Sequence, residues 1–101
     1  MTRIQEAIID ANFRTENVCK TYLQMQRKKY EEQDVFNLPT EERVKYVEPE
    51  LENAIKLIKK WIPDCYELLY ADDNIDHLRS IVDNFFYIDR SALANIVDNN
   101  N

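Results

Sequence analysis

The chain has 101 residues, of which 45% are apolar, a formal net charge of −6, and no glycine. A chain of this length would ordinarily contain about seven glycines. Phosphate-cradling Gly-rich loops, dinucleotide-binding fingerprints and EF-hand loops are excluded, because each needs glycine where the backbone turns sharply or approaches a ligand. Tight primed β-hairpins are disfavoured for the same reason.

Length and composition predict one globular domain over residues 1–101. No uncharged apolar run approaches the roughly 18 residues of a membrane-spanning helix, and Glu6 stands where a signal peptide would be apolar. We therefore expect a cytoplasmic protein, in its own cell or in a host cell, with no membrane contact. Cys19 and Cys65 are expected to be small buried residues of a reduced chain.

Residues 2–33 contain neither proline nor glycine and predict one long N-terminal helix, continuous or bent. Thr2 and Gln5 fit a capping box. Near residues 14–17 the pattern weakens, and Thr15 is an alternative cap for a second helix. Two apolar strips follow helical spacing: a heptad-like one at Ile4, Ile8, Ala11, Val18, Tyr22 and Met25, and a second at Cys19, Leu23 and Tyr30.

Three prolines, at positions 39, 49 and 63, are expected to set helix boundaries in the middle of the chain. Residues 34–39 break the helical pattern, and Thr40 is the expected N-cap of a short helix. Pro49 is expected to force a break or a kink near Glu48. Residues 49–61 predict a helix with one apolar face, and Pro63 is expected to begin a short helix that reaches about residue 70. That apolar face comprises Leu51, Ala54, Ile55, Ile58 and Trp61.

Toward the C-terminus, acidic residues are expected to cap the beginnings of further helices. Asp72 and Asp73 are expected to cap a helix with an apolar stripe at Ile75, Leu78, Val82 and Phe85. Asp89 and Ser91 are alternative caps for a last short helix with Leu93, Ile96 and Val97, before a frayed polar tail at 98–101. Because glycine is missing, we expect asparagine at left-handed helix ends. The predicted fold is all-α: a small helical bundle with one long N-terminal helix and four to five shorter helices.

The only histidine suggests a metal-dependent alternative. Asp73 and His77 lie four residues apart on one helix face, with Asp76 beside them, and could supply part of a metal site. Acidic residues are also favoured at a helix N-terminus without any metal, and no second ligand cluster accompanies these three. Nor does any spacing bring a cysteine or serine to His77 as a nucleophile would require. We therefore predict no enzyme, no metal and no cofactor.

Clustered charge suggests a second alternative. Rows of carboxylates can imitate a phosphate backbone and so inhibit a nucleic-acid-binding protein, although −6 is a modest charge for such a mimic. The acidic balance argues against nucleic-acid binding by the chain itself, and the basic clusters at 27–29 and 59–60 suit helix C-termini. The candidate mimic residues are Glu41, Glu42, Glu48, Glu50, Glu52, Asp72, Asp73, Asp76 and Asp83.

An excess of aromatic residues carries the main functional prediction. Three consecutive aromatics cannot all face one core if they lie on a helix, and exposed aromatics are frequent interface anchors. We therefore predict a non-enzymatic interaction module, a small regulator, inhibitor or adaptor that binds another protein. The heptad-like strip adds self-association through the N-terminal helix as a linked hypothesis. The predicted interface residues are Tyr22, Met25, Tyr30, Phe85, Phe86 and Tyr87.

Overall fold

A computed structural model describes residues 2–68 and 74–91. Every regular element in these residues is helical, which confirms the all-α prediction. The helices are α1 (Arg3–Glu32), α2 (Thr40–Arg43), α3 (Val47–Trp61), α4 (Pro63–Leu68) and α5 (Asn74–Phe85), with 3₁₀ turns at Val35–Asn37 and Val44–Tyr46. The predicted caps Asp72 and Asp73, the apolar residues of the last helix and the predicted polar tail lie outside the described residues.

Helix α1 is one helix of 30 residues, about 45 Å long at 1.5 Å per residue. Its capping box is confirmed: the Thr2 hydroxyl accepts from the Gln5 N–H at 3.1 Å, and the Gln5 side chain accepts from the Thr2 N–H at 2.9 Å. Thr15 begins no second helix, because it lies inside α1 and its hydroxyl donates to the Asn12 carbonyl. Such back-bonding to the preceding turn is compatible with an unbroken helix.

The face that α1 buries differs from the heptad-like strip. Ile4 and Met25 are 74% and 66% exposed, so these ends of the strip lie off the core. Residues four apart on a helix turn about 40° beyond a full revolution, so a row of such residues drifts around the axis. The buried row follows that drift and incorporates the second strip: Ala11, Thr15, Cys19, Leu23 and Tyr30.

In the middle of the chain, the helices begin near the prolines, within two residues of the predicted boundaries. Pro39, not Thr40, is the N-cap of α2, and α3 begins two residues before Pro49. Proline is tolerated there because the first-turn N–H groups of a helix make no intrahelical bond. Pro63 begins α4 as predicted.

Two non-glycine residues adopt the left-handed conformation, Asp34 after α1 (φ 59°) and Tyr87 after α5 (φ 57°). The prediction of asparagine at these helix ends is therefore wrong. A hydrogen bond supports each of these positions: the Asp34 carboxylate accepts one from the Asn37 side chain, and the Tyr87 carbonyl accepts one from Arg43. Of the two caps predicted for the last helix, Asp89 makes a capping bond, since its carboxylate accepts from the Ser91 N–H at 3.0 Å.

The core lies where α1, α3 and α5 meet, and aromatic rings fill one end of it. Tyr30 packs edge-on against Phe86 and Tyr46, with ring centroids 5.2 and 5.6 Å apart, and Phe36 lies edge-on to Phe85 at 5.5 Å. Trp61, predicted on the apolar face of α3, is 51% exposed because it is the last residue of that helix and lies at the edge of the core.

Candidate functional site

A groove of about 590 Å³ runs between α1 and α5. Its floor is apolar, formed by Leu23, Ile81 and Phe85, and its walls are polar. Helix α1 contributes Glu16, Lys20, Leu23, Gln24 and Arg27, and α5 contributes His77, Ser80, Ile81, Asn84 and Phe85. A concave surface with an apolar floor and a few convergent polar groups is typical of binding sites.

Three charged or titratable groups meet at one end of the groove. The Glu16 carboxylate is 2.6 Å from the Lys20 ammonium and 3.2 Å from Nε2 of His77. Hydrogen bonds from Lys20, and then from His77, hold the pKa of Glu16 below its usual value. The contact with His77 joins α1 to α5 across the groove.

At the other end the groove is lined by Arg27 and Phe85, and two further aromatic residues lie against Arg27 outside the groove. The Arg27 guanidinium lies 4.9 Å from the ring centroid of Phe85 and 5.4 Å from that of Phe36. One of its terminal nitrogens is 3.5 Å from the Tyr87 hydroxyl. Among residues 2–68 and 74–91, no carboxylate lies within ion-pair distance of Arg27. This cation is therefore held by aromatic rings and available to a carboxylate from outside.

The groove brings together residue types of a hydrolytic triad, which their sequence positions did not suggest. Glu16, His77 and Ser80 all line the groove. However, the Ser80 hydroxyl donates to the Asp76 carbonyl at 3.1 Å and not to His77. Ser80 lies within α5, where backbone N–H groups are committed to the helix, so its surroundings offer poor oxyanion donors. Burial raises the pKa of the Cys19 thiol to about 12, so that it remains protonated and poorly nucleophilic.

The candidate metal residues have separate partners. Asp76 accepts a hydrogen bond from Arg79 at 2.7 Å, whereas His77 contacts Glu16. Asp73 lies outside the described residues. Within the described part of the chain, no group of three or more His, Cys, Asp or Glu side chains is arranged to hold a metal ion.

The predicted interface residues fall into a buried group and an exposed group. Tyr30, Phe85 and Phe86 are buried in the core, at 3%, 7% and 0% exposure, so they are not exposed anchors. For Tyr30 and Phe85 this burial agrees with their places on the apolar strips of α1 and α5. Of the three consecutive aromatics, only Tyr87 is exposed, which agrees with the expectation that they cannot all face one core. Helix α5 ends at Phe85 and the chain then turns. Tyr22 is half-buried against the core. Met25 and Tyr87, at 66% and 62% exposure, remain accessible.

Two exposed residues outside the predicted interface lie on the groove side of α1. Ile9 and Phe13 are 54% and 64% exposed. They continue the row of α1 residues that line the groove with the spacing 4-3-4-3-4, which keeps side chains on one helix face. We call this row, Ile9, Phe13, Glu16, Lys20, Leu23 and Arg27, the groove stripe. Counting heptads from Ile9 instead of Ile4 would have found it.

Some of the acidic residues proposed for a phosphate mimic are buried or paired within the fold, and Asp72 and Asp73 lie outside the described residues. Glu50 and Asp83 are 5% and 7% exposed, and Asp83 is paired with Arg90 at 2.8 Å. Glu48 is engaged by Arg79 at 2.7 Å. The carboxylates are therefore partly used within the fold.

Comparisons with protein-family models, with characterised proteins and with solved structures give no match to this chain. Among the described helices, none combines the length and the apolar character needed to cross a bilayer.

Proposed function

We propose that this chain is a non-enzymatic protein-interaction module, a small regulator, inhibitor or adaptor, and that the groove between α1 and α5 binds a partner chain, either another protein or a second copy of this chain. The observation that carries the proposal is the alignment of two large exposed apolar side chains, Ile9 and Phe13, with the row of residues that lines the groove. Together they offer a continuous surface along one flank of α1.

The chemistry of this surface suits protein recognition. Exposed apolar groups grouped along one face mark interaction sites more often than isolated ones do. Tyrosine and arginine are enriched among the residues that dominate binding energy, and here Tyr87 and Arg27 meet at one end of the groove. Arg27 is already oriented by Phe85 and Phe36, so less side-chain entropy is lost when a partner binds it.

The shape favours a helical ligand. A groove between two helices, with an apolar floor and polar walls, accepts the apolar face of an amphipathic helix through residues spaced three and four apart. The groove stripe has that spacing itself, so a helix laid alongside it would meet its residues in register.

Site-specific photo-crosslinking tests the proposal. A photoreactive phenylalanine analogue is placed at Gln24, an exposed residue of the groove, and in a matched variant at Lys56, an exposed residue of α3. In extract of the producing cells, we expect a discrete protein adduct at Gln24 and not at Lys56. Excess unmodified chain should compete for it, whereas a Ser80→Arg variant, which fills the groove from α5, should compete poorly.

The proposal is wrong if Gln24 and Lys56 give the same adducts, or if Ser80→Arg competes as well as the unmodified chain. Circular dichroism of Ser80→Arg serves as the folding control. Ser80 is exposed, and surface substitutions of this kind usually change stability little.

A further inference from the structure

We propose that the occupant of the groove is α1 of a second copy of this chain, packed antiparallel about a two-fold axis. The inference rests on the proposed function, because it names the partner of that same surface. It goes beyond self-association in general, since it fixes the orientation, the register and the residue pairs.

The groove stripe is self-complementary when it is reversed. Consider an antiparallel pairing centred between Glu16 and Lys20. Each residue then faces the residue of the other copy for which the two residue numbers add up to 36. Glu16 then faces Lys20 of the other copy, Phe13 faces Leu23, and Ile9 faces Arg27. A two-fold axis makes every such contact twice, so two ion pairs and two Phe13–Leu23 contacts form together.

The distribution of charge along α1 selects the antiparallel orientation. Residues 3–16 hold two basic residues (Arg3 and Arg14) and three acidic ones, for a net charge of −1. Residues 17–30 hold four basic residues and no acidic one, for a net charge of +4. Antiparallel packing lays the acidic half on the basic half, whereas parallel packing would oppose one +4 segment to another, which is unfavourable.

The apolar residues fit the same register. Phe13, 64% exposed in the isolated chain, would lie over Leu23, at the floor of the other copy's groove and beside Ile81 and Phe85. Removing this aromatic ring from water favours association. Arg27, which lacks a carboxylate partner among the described residues, would lie within about one helical turn of Glu6 from the second copy.

Charge-swap variants test this register. In Glu16→Lys, the introduced lysine would oppose Lys20 of the other copy, and in Lys20→Glu, two glutamates would oppose each other. Each variant alone should therefore dimerise at least about tenfold more weakly than the natural chain. Mixed in equal amounts, the two should form a heterodimer, because every inter-copy pair at these positions then joins opposite charges.

The mixture separates an inter-copy contact from a local effect. Each variant loses its own Glu16–Lys20 pair within α1, and mixing cannot restore a pair within one chain. Sedimentation velocity with one variant fluorescently labelled is the readout, and circular dichroism confirms that both variants fold. Restored association in the mixture supports the proposal.

Two results would overturn it: a natural chain that stays monomeric at about 100 µM, where micromolar association would be evident, or a mixture that associates no better than either variant. If the chain is monomeric but Ser80→Arg still fails to compete for the cross-linked protein, the self-pairing is wrong and the proposed function stands. If Ser80→Arg competes normally as well, both are wrong.

Discussion

Arg43 shows how single residues complete a helical fold that has no glycine. Its guanidinium donates to the carbonyls of Leu38, Phe86 and Tyr87 and to the Thr40 hydroxyl, at 3.0, 2.6, 3.1 and 2.8 Å. Two of these carbonyls follow α5, at the left-handed turn that glycine would ordinarily occupy. The arginine thus binds α2 to the end of α5.

We predict that Arg43→Met lowers the free energy of unfolding by about 2–3 kcal/mol, because partly buried carbonyls lose charged donors. Arg43→Lys should restore only part of it, since an ammonium cannot reproduce the planar fork of the guanidinium. The matched control is Lys45→Met, which removes an exposed pair with Glu42 and should change stability by less than about 0.5 kcal/mol. Urea unfolding measures all three, and equal losses from Arg43→Met and Lys45→Met would contradict the account.

The thiols give a second prediction at this scale. Cys19 and Cys65 are both buried and free, and burial raises the pKa of Cys19 to about 12. At about pH 8, below the usual thiol pKa, neither thiol of the folded chain should react with a chromogenic disulfide, and both should react after unfolding in denaturant. Rapid labelling of Cys19 in a folded Cys65→Ala variant would show that this part of α1 is open to solvent.

At the scale of elements, a polar cluster lies where α1 packs on α3. Glu50 of α3 is buried, and its Oε1 accepts from the Asn53 side chain at 3.0 Å. Among the described residues, no donor lies within hydrogen-bond geometry of its buried Oε2. Burial, followed by nearby Glu50, raises the pKa of Tyr22 to about 12 and raises that of Tyr30 further still. Both tyrosines are therefore held neutral at alkaline pH.

Stability should therefore fall as pH rises above about 10, the ordinary pKa of tyrosine. An unfolded tyrosine loses its proton near that pH, while folded Tyr22 keeps it until about pH 12. Between these values the folded chain binds more protons than the unfolded chain, so the free energy of unfolding decreases with pH. In Tyr22→Phe and Tyr30→Phe the decrease should be smaller than in the natural chain by up to about 1.4 kcal/mol per pH unit.

Lysines titrate in the same range, so the difference between each variant and the natural chain is the informative quantity. Denaturant unfolding from about pH 9 to about pH 12 covers the ordinary and the raised tyrosine pKa values. Identical slopes for the variants and the natural chain would contradict the assignment.

The order and type of the helices could be predicted because their signals are local. The Thr2 capping box, the prolines at 39, 49 and 63, and the apolar periodicity of α5 each act within a few residues of the chain. The buried face of α1 could not be predicted, because two apolar strips compete and the choice depends on where α3 and α5 pack. For the same reason Ile4 is exposed and Cys19 is buried.

The groove was beyond prediction because it joins residues far apart in the chain. Glu16 and His77 are 61 positions apart, and no local pattern relates them. The burial of Phe86 could not be predicted either, because Phe86 lies in the turn after α5, where its carbonyl and that of Tyr87 accept hydrogen bonds from the distant Arg43. Ile9 and Phe13 were open to prediction, since their spacing to Leu23 follows the heptad rule.

At the scale of the whole molecule, the chain is flat, with principal extents of 47 × 33 × 17 Å. Helix α1 runs nearly the full length of the long axis, at about 45 Å. One flank of α1 packs against α3, α4 and α5. On the groove side, Ile9 and Phe13 are exposed, whereas Leu23 lies buried at the floor of the groove. A flat molecule with exposed apolar residues beside a groove on its longest helix has a surface well placed to pack against a second copy.

Pulsed electron–electron double resonance, which measures the distance between two spin labels, tests the central claim most directly. Labels are attached to Asn17→Cys and, separately, to Arg3→Cys, both exposed positions on α1. In the antiparallel dimer the two copies of position 17 lie about 3 Å apart along the helix axis and those of position 3 about 45 Å apart, to which about 8–10 Å between the axes is added. We therefore expect a distance below about 25 Å for position 17 and above about 40 Å for position 3. Equal distances at the two positions, or no dipolar coupling at either, would contradict the account.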